Sequence, residues 1–326
     1  IMYITKNSQK DSITYILRDS AHMGKSDFAK KIFYIQIPIK RVAALSTTDI
    51  AMINELGFTE SIIASCDIFR MSNEYLRNKY TEGKLFDLGS SMNENQEKVL
   101  EIHPDLLIKS AFGIEFLEKD RLIFNSNIPI LYINNWQETS PLGRAEWIKL
   151  IGMMYGQEQK SDSVFAVIEK KYKDLQTKVA NIKQKPIVLA GDMIKDVWYL
   201  PGGNSYVAGF IADAGGNYVN SKNTSTGSVP LSFEKILELS SQVTVWIGTD
   251  ADSYKAMYKT NKMYELLPVC QKKNCFNNNK RKNKFGGNDY WETGSARPDY
   301  LLADLIKIFH PSVLPHYEMY FFNKLE

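Results

Sequence analysis

From Arg41 onward, short apolar runs alternate with amphipathic stretches. Residues 42–45, 62–64, 106–108 and 130–133 have the length and apolar density of buried strands, and 49–56, 95–102 and 114–124 carry the spacing of helices. Beyond Lys185 the pattern restarts, with strand-like runs at 187–190 and 243–247 and helical ones at 205–214, 233–239 and 299–309. Strands that are apolar on both faces and separated by helices predict parallel sheets covered on each side. The expected fold class is α/β, with two lobes of mainly parallel sheet. Residues 1–40, with β-rich pieces at 13–17 and 32–37, read as an irregular entry with strands.

The clearest helix lies between the two patterns, over residues 159–183. Phe165, Ile168, Tyr172, Leu175, Val179 and Ile182 recur at spacings of 3, 4, 3, 4 and 3, Lys and Glu fill the other face, and Pro186 stops the run. Roughly 25 residues at 1.5 Å each make about 38 Å, the width of a domain. One helix joining two lobes is the expectation, with a first lobe at 1–155, the connecting helix at 156–185 and a second lobe at 186–326. An internal repeat supports equivalent lobes: residues 96–102 (QEKVLEI) match 233–239 (FEKILEL), and each copy is followed by an apolar strand.

Composition narrows the function classes. The 326 residues are 44% hydrophobic and 24% charged, which excludes a disordered or low-complexity chain. A formal charge of +3 is too balanced for a dedicated nucleic-acid binder. No apolar run approaches the roughly 20 residues of a membrane span. Cys270 and Cys275 sit five apart in a polar stretch, which suits either a disulfide-closed loop or two reduced loop thiols.

Catalytic motifs fail on inspection. Gly24, Lys25 and Ser26 resemble the end of a phosphate loop, but Asp19 stands where its leading glycine belongs. Gly203, Asn204 and Ser205 begin like a nucleophile elbow, and Val207 occupies the second glycine position. The four histidines, His22, His103, His310 and His316, are scattered. No motif supports an enzyme, nor a metal or cofactor held by the chain's own ligands.

Together, the two lobes, the long helix and the paired glutamate helices resemble the solute-binding proteins of ABC importers for iron–siderophores, haem or cobalamin, proteins with two Rossmann-like lobes. The signposts are residues 41–46 (RVAALS), 95–108 (NQEKVLEIHPDLLI), 212–216 (ADAGG) and 231–234 (LSFE). Ser241 and Gln242 depart from the family's Pro-Asp in the second lobe, and the extension before Ile32 is longer than a minimal member needs. The resemblance implies that Glu97 and Glu234 dock on arginines of an ABC permease served by its ATPase. It also implies a monomer, periplasmic or lipid-anchored at the outer face of the inner membrane, that captures a small-molecule metal chelate and binds no nucleic acid.

The resemblance places the ligand between the lobes, at loops that follow strand C-terminal ends. The candidates are Arg70, Ala111, Phe112, Trp136 and Arg144 in the first lobe, and Trp198, Tyr199, Thr249, Asp250, Tyr290 and Trp291 in the second. Trp246 and Trp147, within a strand and a helix, read as core. Arginines beside aromatic rings suit an anionic, partly planar chelate, so an iron(III)–siderophore is the first choice. Haem, held by Met71 or Tyr290, and cobalamin, edged by Trp136, Trp198 and Trp291, are the alternatives within the family; a two-lobed glycosyltransferase is the alternative of another class. The lysines and arginine of residues 272–284 read as a solvated mobile loop or as an electropositive lip to the site.

Overall fold

A computed structural model of the protein describes residues 2–5, 12–19, 26–110 and 118–326. The chain divides into two compact units, residues 1–135 with 146–165, and residues 136–145 with 166–326. The expected boundaries at 155 and 186 differ from this division. Residues 136–145 side with the second unit because Pro141 packs under Gly209, where an added Cβ would lie 3.2 Å from the proline ring. The helix Glu158–Val179 contributes to both units.

The first unit is built on a five-stranded parallel sheet ordered Ile130–Tyr132, Leu106–Lys109, Val42–Ala44, Ile62–Ser65, Phe86–Asp87. Three of its strands, Val42–Ala44, Leu106–Lys109 and Ile130–Tyr132, are buried along their whole length, which explains their apolar runs, broken only by Lys109. The N-terminal residues add a separate sheet, Met2–Thr5, Ser12–Arg18 and Ile32–Gln36. It is fastened to the main one by Tyr15, whose hydroxyl accepts the Tyr132 N–H at 3.0 Å. The helix expected at 114–124 begins outside the described residues; the described part includes Arg121–Asn125.

The second unit repeats the plan. Asn217–Tyr218, Ile187–Ala190, Val245–Thr249 and Cys275–Asn277 run parallel, and Asn323–Lys324 closes the edge antiparallel. An antiparallel sheet of Asp192–Ile194, Val197–Pro201 and Ser228–Leu231 follows directly from the end of Ile187–Ala190. Gly191 makes that turn at φ 81°, and a Cβ there would lie 2.2 Å from the Tyr199 carbonyl oxygen, so no larger residue fits. The strand expected at 243–247 starts two residues later, since Val243 still caps a 3-10 turn at Ser240–Gln242.

Of the two readings of Cys270 and Cys275, the structure shows the unbonded pair. Cys270 and Cys275 are free, fully buried thiols with their sulfurs 3.6 Å apart. The stretch is not a loose loop: Cys270 lies in the helix Pro268–Gln271 and Cys275 opens a strand inside the sheet. The turn between them is closed by backbone bonds, Lys273 to the Cys270 carbonyl at 3.0 Å and Asn274 to that of Val269 at 3.1 Å.

Candidate functional site

Three of the expected ligand residues meet in the second unit. Arg144 sits in the first turn of the helix Pro141–Met154, Tyr290 and Trp291 in the first turn of Asp289–Ala296. The latter helix is started by Asn288, whose side chain accepts the Tyr290 N–H at 3.0 Å. The Arg144 guanidinium lies 4.7 Å from the ring centre of Tyr206, which opens the helix Tyr206–Asp213 behind the cap Ser205. Tyr290 and Trp291 pack edge to face at 4.7 Å. Pro141, Arg144, Tyr206, Tyr290, Trp291 and Ser295 enclose a hollow of about 10 Å³, room for roughly one water.

The electrostatics of this nest are unusual. Arg144 is only 9% exposed, its Nε has no hydrogen-bond partner, and among the described residues it makes no ion pair. A buried cation is ordinarily matched by a carboxylate. Here its partners are the π face of Tyr206 and the neighbouring Tyr290, whose phenol burial pushes up while Arg144 pulls it partly back. Trp291 stays half exposed at the edge. A guanidinium offers N–H donors suited to oxygen anions, and the hollow beside this one has room for a single small polar group.

The other candidates are placed differently. Tyr199 is 41% exposed, but its neighbour Trp198 is fully buried, so the ligand role expected of Trp198 is withdrawn. Strand alternation decides the pair: Trp198 turns inward onto Trp246 and donates to the Ala190 carbonyl at 3.1 Å, while Tyr199 turns outward. Arg70 is exposed in the turn Ile68–Arg70 of the first unit, and Trp136 is 40% exposed in the turn Asn135–Gln137. Met71 is fully buried, which removes it as an axial haem ligand. Ala111 and Phe112 lie outside the described residues. Tyr206 was missed by sequence reasoning; its signal was its place one residue past a helix cap that follows a Gly-Gly turn.

Two further features bear on function. The basic stretch is solvated yet partly tied down: its lysines and arginine are all exposed, while Arg281 pairs with Asp289 at 2.5 Å, Lys282 with Asp250 at 2.9 Å, and Lys280 donates to the Met319 carbonyl. Glu97 and Glu234 are both exposed, each at the second position of a seven-residue helix, Gln96–Ile102 and Phe233–Leu239. The caps Asn95 and Ser232 accept the N–H groups of Lys98 and Lys235. Hydrogen bonds from its own backbone and from Ser232 hold the Glu234 carboxyl below the ordinary range.

Parallel-sheet units sharing one long helix, with a glutamate helix repeated in each, are the plan that the sequence resemblance implied. The chain belongs to the periplasmic binding protein family, whose pattern matches residues 42–274. It is 28% identical over 304 residues to an uncharacterised lipoprotein of Methanocaldococcus jannaschii, covering 89% of this chain and 70% of that one. Its fold is similar to the haem-binding protein RhuT of Roseiflexus (TM-score 0.63, 19% identity, 84% of this chain and 99% of that chain). It is likewise similar to the siderophore-binding protein FhuD of Vibrio cholerae, solved with ferric Desferal (TM-score 0.60, 14% identity, 83% and 99%). Membership of a substrate-binding transport family displaces the glycosyltransferase alternative.

Proposed function

We propose that the protein is the solute receptor of an ABC importer for an iron(III)–siderophore-type chelate, and that Arg144, Tyr206, Tyr290 and Trp291 contribute its anion-recognising wall. The observation that carries this reading is the buried guanidinium of Arg144, without a carboxylate, in an aromatic nest. Hydroxamate, catecholate and carboxylate oxygens of a ferric chelate bear the delocalised negative charge that such a fork pairs with. The chelator already satisfies the iron, so the receptor supplies no metal ligand. Arg70, Trp136 and Tyr199 are further contacts in this reading, and Glu97 and Glu234 register the loaded receptor on the permease, where exposed charges set orientation and on-rate. The related lipoprotein names support a place at the outer face of the membrane.

Tryptophan fluorescence titrated with a ferric trihydroxamate, haemin and cobalamin tests the ligand class. Saturable quenching by the ferric chelate is the expected result. Quenching by haemin or cobalamin alone contradicts the siderophore reading and leaves the receptor reading standing.

A further inference from the structure

A second hollow lies wholly in the first unit, and its volume of about 980 Å³ is that of a small-ligand pocket. Its walls are the strand Ile32–Gln36 with the link to Lys40, the turn at 103–105 and the turn at 124–129. These last two turns precede the strands Leu106–Lys109 and Ile130–Tyr132, so the hollow sits at the N-terminal ends of the sheet, the end opposite to the loops where the family's solute is expected. One wall, residues 26–40, precedes the stretch that matches the family. The pocket therefore joins residues outside the matched stretch to turns inside it.

Its chemistry is amide-rich and nearly neutral. Gln36, Asn125 and Asn127 are exposed, and none of their side chains makes a hydrogen bond among the described residues. Each offers one acceptor and two donors, the combination that pairs with hydroxyl groups, which both give and accept. Lys40 and Asp105 cancel only in charge count: the Asp105 carboxylate accepts the backbone N–H groups of Lys40 and Arg41 at 2.9 Å each. His103 adds an imidazole at the rim. Half-buried rings of Tyr34 and Phe124 supply an apolar floor. A strongly anionic ligand would meet Asp105, and a purely apolar one would desolvate the amides.

We propose that this hollow binds a saccharide, with hydroxyls on the three amides and the C–H face of the sugar on Tyr34 and Phe124. Saturation-transfer NMR tests it, using free hexoses, N-acetylated hexosamines and short oligosaccharides of the same sugars as probes. The expected result is transfer to ring protons of at least one sugar, weakened about tenfold in affinity by Gln36→Ala with Asn125→Ala, exposed positions whose loss leaves the fold intact. A stronger response to oligosaccharides points to a glycan chain, an equal one to free sugar. Ferric-chelate quenching should be unchanged in the same variant, which separates this site from the solute site. No transfer from any sugar, transfer that survives the double substitution, or a response confined to inorganic phosphate or citrate overturns the proposal.

Discussion

The two glutamate helices begin alike and end differently. Gln96–Ile102 and Phe233–Leu239 each have seven residues, a side-chain cap on the third N–H and a glutamate at the second position. The first ends at His103, in the left-handed region at φ 48°, and is clamped from outside. Arg41 donates to the Ile102 and His103 carbonyls at 2.8 and 3.0 Å, and Asp105 holds the Arg41 backbone in return. The second runs into a 3-10 turn at Ser240–Gln242 and is finished by local bonds, the Ser240 hydroxyl donating to Leu237 at 2.8 Å. What the two units share is the end that presents the carboxylate; the other end is free to vary. The strands that follow differ too: Leu106–Lys109 ends in a buried ion cluster, Val245–Thr249 in a neutral threonine.

The strongest way to break the shared half is charge reversal. Glu97→Arg with Glu234→Arg should reduce uptake of the labelled solute to background in cells carrying the importer, with affinity for the solute unchanged. Loss of solute binding in the purified double variant would place these glutamates in the binding site instead.

Next in size is the difference between the strand ends. Lys109 pairs with Glu94 and with Asp120 at 2.8 Å, and Tyr132 donates to Asp120 at 2.7 Å, all buried. Lys109→Met leaves two buried carboxylates unpaired and should cost about 3–5 kcal/mol in chemical denaturation. Burial already raises the Asp120 pKa above its ordinary value against the pull of Lys109. A raised carboxylate pKa means that folding favours the protonated form, so stability is lost as pH rises through the folded value. The variant should accordingly recover part of its deficit as pH falls from neutrality into the carboxylate range. A deficit independent of pH would show that the cluster carries no net buried charge.

Smaller effects sharpen the comparison of the helix ends. Asn95→Ala and Ser232→Ala should each cost about 1 kcal/mol, because each removes the same cap. Arg41→Ala should cost about 1 kcal/mol and reduce amide protection in residues 96–102 while leaving 233–239 unchanged. Equal loss of protection in both helices by hydrogen exchange would show that Arg41 acts on the fold at large.

The shared half was legible in the sequence because repeat, cap and following strand all lie within about a dozen residues of each glutamate. The Ser241–Gln242 departure was equally visible, and it marks the point where the two helix ends diverge. Tyr206 was not legible as the partner of Arg144, since the whole long helix and the first strand of the second unit separate them along the chain. Trp198 was misread although period-two alternation beside the outward Tyr199 carried the answer: the expectation followed proximity to a turn and ignored strand side. Cys275 reads as a loop residue because its strand is only three residues long and flanked by Lys and Asn. Lys109 gave a weak signal, a lysine closing an apolar strand, and only its partners in space explain why it is buried.

In the proposed receptor, recognition of an anionic chelate rests on the Arg144 guanidinium. Isothermal titration of a ferric trihydroxamate into the wild-type chain and into Arg144→Ala tests this most directly. Saturable binding is predicted, weaker by at least about tenfold in the variant through the loss of one charge-assisted hydrogen-bonding group, with Lys restoring it only in part. Binding of equal strength to both chains would contradict it.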